Sequence, residues 1–409
     1  MGWVTEWAPT KAELDACIDC GLCLPVCPTF QLTGDEAASP RGRLSAMRAV
    51  DEGIMVVDDR FGEIMDFCLQ CRACEVVCPS MVPFGRAMEG AKAEVVAQRP
   101  DAGRALKRSV FGKALRVRGL VTMVSWMAAG AQRAGIAPRL PGLLGRVGGL
   151  RPIPIPVPST RGRTWDPEGI PKGTIALFSG CVMDPWFSDV HVAVIQLLRT
   201  AGFRVAAPEK QTCCGALAAH EGAAYDAADM VERNVQAFEG YETVVVDAAG
   251  CSAHLKAHAG GDGASLATRV VDATELVASL IAEGSLPTID ADRGPVAIQD
   301  PCHLRHAQRI VDEPRAILRA AGYQPVEIDT HGMCCGAAGA YQLSHPETSD
   351  ELGRRKADQV RTTGARIVAS ANPGCEMQLR THLDATVRVA HPVELYWEAV
   401  SESRVMAGN

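Results

Sequence analysis

From residue 173 onward, short apolar runs rich in β-branched residues alternate with stretches whose apolar positions recur at helical spacing. Thr174-Ile-Ala-Leu-Phe178, Val244-Val-Val246, Pro295-Val-Ala-Ile298 and Ile367-Val-Ala369 read as strands, and Val190–Ala201 and Glu351–Thr362 as helices. That alternation predicts small parallel sheets covered by helices. The pattern then repeats. Leu198-Arg-Thr-Ala-Gly-Phe203 returns as Leu318-Arg-Ala-Ala-Gly-Tyr323, and Thr212-Cys-Cys-Gly215 returns as Met333-Cys-Cys-Gly336. Cys181 and Cys302 are offset by 121 positions, Cys213 and Cys334 by 121, and Cys251 and Cys375 by 124. Two copies of one α/β module follow, placed at 172–288 and 289–409.

The first 98 residues carry a different pattern, mainly helical, with a helix-like stretch from Arg43 to Glu52. Residues 99–171 differ again. Ala105–Ala137 reads as a helix with Val110, Leu115, Leu120, Val124 and Met127 as its apolar face, and Leu150-Arg-Pro-Ile-Pro-Ile-Pro-Val-Pro158 as a semi-rigid connector. From Arg99 to Arg163 there are 13 Lys and Arg against one acid, Asp101. A local +12 within a whole-chain −7 leaves −19 for the rest. Such asymmetry marks an interaction surface: an anionic membrane, an acidic partner subunit, or the chain's own acidic modules.

At 409 residues, 47% hydrophobic and 22% charged, the chain has material for two or three packed domains and is neither disordered nor fibrous. The net charge of −7 argues against a nucleic-acid binder. No apolar run reaches 18 residues, and the N-terminus lacks the apolar core of a secretory signal, so a cytoplasmic location is expected.

In a reducing compartment, sixteen cysteines are core residues, nucleophiles or metal ligands. Cys17, Cys20, Cys23 and Cys27, and again Cys68, Cys71, Cys74 and Cys78, follow C-x2-C-x2-C-x3-C-P, ending at Pro28 and Pro79. Three thiolates so spaced wrap three corners of a cubane cluster, and the fourth cysteine of each run serves the other cluster. Cys17, Cys20, Cys23 and Cys78 are therefore expected on one [4Fe–4S] cluster, and Cys68, Cys71, Cys74 and Cys27 on a second. Zinc normally uses two separated pairs, not a triplet plus one. Arg41, Arg43, Arg72 and Arg86 lie near these loops, either offsetting the anionic clusters or as solvated surface residues.

The modules hold the remaining eight thiols: Cys181, Cys213, Cys214 and Cys251, then Cys302, Cys334, Cys335 and Cys375. Cys181, Cys251, Cys302 and Cys375 each follow a strand-like run, which places them at the carboxyl edge of a sheet, where open α/β folds bind ligands. Vicinal cysteines reach two corners of a cluster more readily than one ion, and Gly215 and Gly336 permit close backbone approach. Four thiolates per module suffice for one further iron–sulfur centre each, or one shared. A reversible vicinal disulfide and an inert pair are the alternatives. His254 and Gln378 each lie three residues beyond the last cysteine of their module, as ligands or, more naturally given their mismatch, in outer or surface roles. His303, His306 and His331 flank the second module's cysteines, where they could bond cluster sulfur or touch a quinone. No G-x-G-x-x-G opens a helix after a strand, and neither a P-loop nor a G-x-S-x-G is present. Many electron carriers without an organic redox cofactor describe a wire.

These residues carry a resemblance. Cys23-Leu-Pro-Val-Cys-Pro-Thr-Phe-Gln-Leu-Thr-Gly-Asp-Glu36, Ser39-Pro-Arg-Gly-Arg43, Met333-Cys-Cys-Gly-Ala-Ala-Gly-Ala-Tyr341, Ser344-His-Pro346 and Ala371-Asn-Pro-Gly-Cys375 resemble the iron–sulfur subunit of bacterial glycolate oxidase, over essentially the whole chain. The resemblance implies an electron-transfer subunit working with FAD-containing subunits that oxidise a 2-hydroxy acid, glycolate or D-lactate in type. Electrons would pass to quinone or another acceptor, with peripheral contact on the inner face of the membrane. Heterodisulfide reductase relatives suggest the alternative of a catalytic subunit acting on a disulfide or quinone. They carry a fifth cysteine per module where His254 and Gln378 stand here, which favours four-cysteine centres.

Overall fold

The computed structural model describes residues 2–136, 149–258 and 263–406. Five strands form the first sheet: β1 (Arg163–Trp165), β2 (Gly173–Phe178), β3 (Phe203–Ala207), β4 (Val244–Val246) and β5 (Val270–Asp272), in the order β1-β3-β2-β4-β5. The second sheet contains β6 (Pro295–Gln299), β7 (Gln324–Glu327), β8 (Ile367–Ser370) and β9 (Arg388–Ala390), in the order β7-β6-β8-β9. The order β3-β2-β4-β5 matches β7-β6-β8-β9 strand for strand, and all these neighbours pair in parallel. The repeat read from the sequence is thus a repeat of topology. Its one addition is β1, an antiparallel edge strand against β3 with Trp165 opposite Val205.

The modules share one core. Ile175, Leu177, Val194 and Leu198 of the first pack in a cluster with Ile298, Ile317, Leu395 and Tyr396 of the second, most of them wholly buried. The helix Ser188–Thr200 lies on Pro392–Met406, and Ala273–Ala282 on Asp312–Ala320. The back surfaces of both sheets are thereby consumed, leaving the carboxyl ends of the strands for chemistry.

The N-terminal unit is helical around Leu14, Met47, Phe61, Met65 and Met88. Its longest inter-motif helix runs Pro40–Asp51, three residues earlier than the apolar pattern predicts. Ser39 is the reason: its hydroxyl accepts from the Gly42 N–H at 2.9 Å, and Pro40 takes the first helical position, where no N–H is needed.

The expected continuous helix over 105–137 is broken. It is Ala102–Lys107, a wide turn Arg108–Lys113, a tight turn Ala114–Arg116, then Arg118–Arg133; Ala137, Arg139 and Arg146 lie outside the described residues. Acid–base pairing with the first module sets the path. Arg108 reaches Asp226 at 2.8 Å, Arg116 pairs with Asp226 and Asp229, and Arg118 approaches Glu209. The expected apolar face is also reversed. Leu115 packs on the first module, but Val110, Leu120, Val124 and Met127 are exposed, while Val121, Ser125, Ala128 and Ala129 are buried. Small residues win this contact because they let the backbone approach Leu150 and Ile153, and Trp186 Nε1 donates to Ser125 Oγ at 2.9 Å. Much of the basic segment's charge is therefore spent inside the molecule.

Arg151 of the connector is the strongest of these ties. Its guanidinium donates to both carboxylates of Glu376 (2.6 and 2.8 Å) and Glu394 (2.9 and 2.8 Å), all three side chains being nearly sealed from solvent. Burial by itself would make this cation harder to keep, but the two carboxylates reverse the balance and hold it charged.

Candidate iron–sulfur centres

The two ferredoxin-type runs fold into adjoining pockets. One is lined by Cys17, Cys20, Cys23, Cys74 and Cys78, the other by Cys27, Cys68, Cys71 and Cys74. The fourth cysteine of each run thus faces the triplet of the other. Left-handed residues, Asp19, Gln70 and Arg72 among them with φ of 54°, 52° and 61°, curl the loops so that their thiols converge. Burial pushes the thiols of Cys71 and Cys74 well above the ordinary range, and that of Cys17 upward. Packed thiols that resist ionisation need a cationic inorganic partner to become thiolates.

Arg43 provides the test of fit. Its side chain is wholly buried beside the second pocket, and among the described residues no carboxylate pairs with it. Its donors go to Ala38 O (2.7 Å), Ile64 O (3.0 Å) and Thr29 Oγ1 (3.3 Å), and Thr29 Oγ1 lies 3.2 Å from Cys27 Sγ. A buried guanidinium without a counter-ion is costly. An anionic cluster on Cys27, Cys68, Cys71 and Cys74 would supply the missing negative charge, so the residues present fit the group. Arg41 lines the first pocket and donates to Asp19 O at 3.1 Å, and Arg72 lines the second, but each has a carboxylate partner, Glu36 and Glu75; Arg86 is engaged with Glu13 and the carbonyls of Trp7 and Ala8.

In the modules the four outer cysteines follow strand ends, as expected, and the vicinal pairs lie in the loops of the same sheet edge. Cys181 and Cys302 lie just beyond β2 and β6, and the vicinal pairs lie in the loops after β3 and β7. Cys251 and Cys375 sit in the first turns of the helices after β4 and β8, Ala249–Ala257 and Pro373–His382. Cys214 Sγ is 3.1 Å from Cys251 Sγ, and Cys335 Sγ is 3.2 Å from Cys375 Sγ, contacts between thiols and not bonds. Within each quartet the contacts between sulfurs favour ionisation of one thiol at the expense of its neighbours: the Cys213 thiol is held well below its ordinary range and those of Cys181 and Cys214 well above it, and the Cys335 thiol is held below and those of Cys334 and Cys375 above. Gly215 and Gly336 have φ of 96° and 86°, and a Cβ on Gly336 would stand 2.6 Å from Ser349 O.

The neighbouring polar residues separate by role. Gln378 is buried and donates to Ser349 O at 2.8 Å, bracing the loop behind Gly336. His306 bonds Gly332 O at 3.0 Å, and the exposed His331 is held by Asp329 through its backbone. His303 Nδ1 lies 3.5 Å from Cys302 Sγ. His254 is buried, with Nε2 lacking any partner. Sequence reasoning missed Arg161, whose guanidinium grips Gln211 O at 2.9 Å and Gly180 O, near Cys181 and Cys213; burial lowers its affinity for the proton while those thiols oppose the shift. Nothing in its local sequence separates it from the other twelve basic residues of that segment.

The four cysteine sets form a connected series. Leu69, Cys71 and Ala73 pack in one cluster with Cys302, Cys334, Tyr341 and Leu352, so the second pocket abuts the second module. Asn372 then spans the modules: it donates to Cys375 Sγ at 3.5 Å and accepts from Gly250 N, beside Cys251, at 3.1 Å.

A helical unit carrying two adjoining cysteine-lined pockets, joined to a repeated α/β unit with a cysteine quartet at each sheet edge, defines an iron–sulfur electron-transfer protein. The family models agree. A 4Fe-4S dicluster domain matches residues 13–82, and the CCG cysteine-rich domain matches 175–256 and 296–380. The chain is 31% identical to the probable glycolate oxidase iron-sulfur subunit of Bacillus subtilis, over 95% of this chain and 94% of that one. It is 29% identical to the glycolate oxidase iron-sulfur subunit of Escherichia coli, over 95% of each. A fumarate reductase (CoM/CoB) subunit of Methanothermobacter marburgensis is 34% identical over 57% of this chain and 47% of its own. The chain belongs to the glycolate oxidase iron–sulfur subunit family, and it carries several iron–sulfur clusters.

Proposed function

We propose that this chain relays electrons within a flavin-dependent 2-hydroxy-acid dehydrogenase, glycolate or D-lactate in type, from FAD in a partner subunit to quinone or another acceptor. The observation that carries the reading is the unbroken succession of four cysteine sets, joined at the Cys71–Cys302 contact and at Asn372. Clusters bound to these thiolates supply single-electron transfer, at potentials set by charge, hydrogen bonds to sulfur and exposure. The chain's own residues fix that environment. Cys17, Cys20, Cys23 and Cys78 hold the first cluster, and Cys68, Cys71, Cys74 and Cys27 the second. Cys181, Cys213, Cys214 and Cys251, and Cys302, Cys334, Cys335 and Cys375, hold one further centre each. Arg43 and Arg161 place positive charge beside the second pocket and the first module.

Anaerobic purification with iron and sulfide counts, EPR and identification of co-purifying chains tests this. About sixteen irons are expected, and about eight would leave the modules empty. A colourless protein with no labile sulfide would end the proposal. Similarity to the fumarate reductase subunit supports a second reading, reduction of a disulfide or quinone at the modules. Turnover by the isolated chain without any flavoprotein would favour it.

A cytoplasmic location with peripheral membrane contact completes the reading. Among the described residues no helix is long and apolar enough to cross a membrane. The support is the stripe Leu120, Met123, Val124 and Met127 on the helix Arg118–Arg133, exposed along one side. Co-flotation with anionic vesicles, lost in the Met123→Lys/Met127→Lys double variant, is the expected outcome.

A further inference from the structure

A cavity of about 920 Å³ opens where the N-terminal unit meets both modules. Gln70 and Arg72 reach it from the loop of the second ferredoxin-type pocket, His303 from beside Cys302, and His254 from the helix that carries Cys251. Three of the four cysteine sets contribute a neighbouring residue to it. A molecule bound there would lie beside three centres at once.

The lining defines what fits. The volume suits a ligand of cofactor size. Much of the wall is small and apolar, from Ala224, Ala228 and Val231 on one helix and Ala253 and Ala257 on another, with Trp7 and Tyr225 meeting edge to face at 5.9 Å. Four of the lining residues carry a polar atom that is sealed from solvent and has no partner: Trp7 Nε1, Gln70 Oε1, His254 Nε2, which faces the backbone of Gly215, and His303 Nε2. His254 and Gln70 are only 5% and 6% exposed, so a turn of each side chain would bring its unmet capacity to a ligand with hydrogen-bonding groups. Most of the charge in the lining is already paired. Glu89 pairs with His220 and Asp229 with Arg116 and Arg233, while the two guanidiniums are committed, Arg72 to Glu75 and Arg86 to Glu13, Trp7 O and Ala8 O. A carboxylate would find no free guanidinium there. An uncharged ring bearing carbonyl oxygens needs none.

We propose that this cavity is the site where a quinone takes electrons from the chain, with Trp7 and His254 turning their ring N–H groups to its carbonyl oxygens as it binds and Gln70 turning its Oε1 to receive the O–H of the product. This rests on the relay reading above. The quinone gains two electrons, delivered singly from the cluster chain and drawn ultimately from the hydroxy acid through the partner's flavin. It gains two protons from water at the mouth, where Tyr225 is exposed. Both C=O bonds become C–O–H, and the quinol leaves.

The test uses the anaerobically purified, cluster-loaded full chain, with menadione as the calorimetric probe and an azido-naphthoquinone for photolabelling. Saturable menadione binding is expected, with label on peptides that contain Trp7, Ala228 or His254. Ala228→Trp, which fills the cavity, and His254→Leu should each weaken binding about tenfold or more, while His254→Gln, which keeps a donor, should return it to within about threefold of the original. Iron content, measured for each variant, shows whether the clusters survive, and if a variant loses them the labelling of the unaltered chain decides. Absence of saturable binding, label confined to other surfaces, or unchanged affinity in both cluster-loaded variants overturns the proposal. Cluster reduction by hydroxy acid in the complex, followed by EPR, is read separately. Its failure would sink the relay reading while leaving quinone binding measurable.

Discussion

His391 shows how one buried side chain makes the fold sensitive to acid. Its Nδ1 accepts the Val393 N–H at 3.2 Å at the head of the last helix, so the ring must stay neutral, and Nε2 is buried without a partner. Burial pushes its pKa down to about 4, from about 6.5 in an unfolded chain. The unfolded state therefore takes up a proton before the native state does. The stability contribution is full above pH 6.5 and falls as pH drops toward 4, by about 3 kcal/mol in all. His391→Asn keeps an acceptor at the helix start and does not titrate. Its melting temperature should fall less than that of the unaltered protein between pH 7 and pH 5, and equal falls would refute the assignment. Arg43 acts at the same scale on redox behaviour. Arg43→Gln removes the buried charge beside the second pocket and should move the potential of that cluster to more negative values, read by EPR-monitored titration.

At the scale of elements, the decisive contacts are those that end or redirect a segment. Ser39 caps the helix between the two cysteine runs, so Ser39→Ala should cost about 1 kcal/mol, measured by chemical denaturation. Arg151 ties the connector to two helices of the second module, and Arg151→Ala leaves Glu376 and Glu394 buried without their cation. A loss of about 3–5 kcal/mol is expected. Replacing all three by apolar residues should be far milder, because no charge is then stranded. The cap was present in the sequence as Ser39-Pro40 but hidden by the apolar pattern, which begins later. The break in 105–137 had no local signal at all, since its cause, Asp226 and Asp229, lies about a hundred residues away.

For the whole molecule, the question is how separate units become one conductor. The Cys71–Cys302 neighbourhood joins the N-terminal unit to the second module, and Asn372 joins the modules to each other. Asn372→Leu keeps the bulk but removes both hydrogen bonds. It should preserve iron content while slowing electron arrival at the first module, visible by rapid-freeze EPR as a lag in the first-module signal. Equal arrival times would show that the bridge is not used.

The chemistry and the plan are legible in the order of residues alone: sixteen cysteines in four sets, the two interlocking runs, and a duplicated α/β module with thiols at the strand ends. Those signals survive in one dimension because ligand spacing and strand–helix periodicity are local properties of the backbone. Folding in three dimensions was needed to reveal which arginine lacks a carboxylate, where the basic segment spends its charge, which face of its helix is covered, and that three cysteine sets surround a single cavity. Each of these depends on partners far apart in the chain, brought together by the burial of apolar surface, and no local pattern encodes such a meeting.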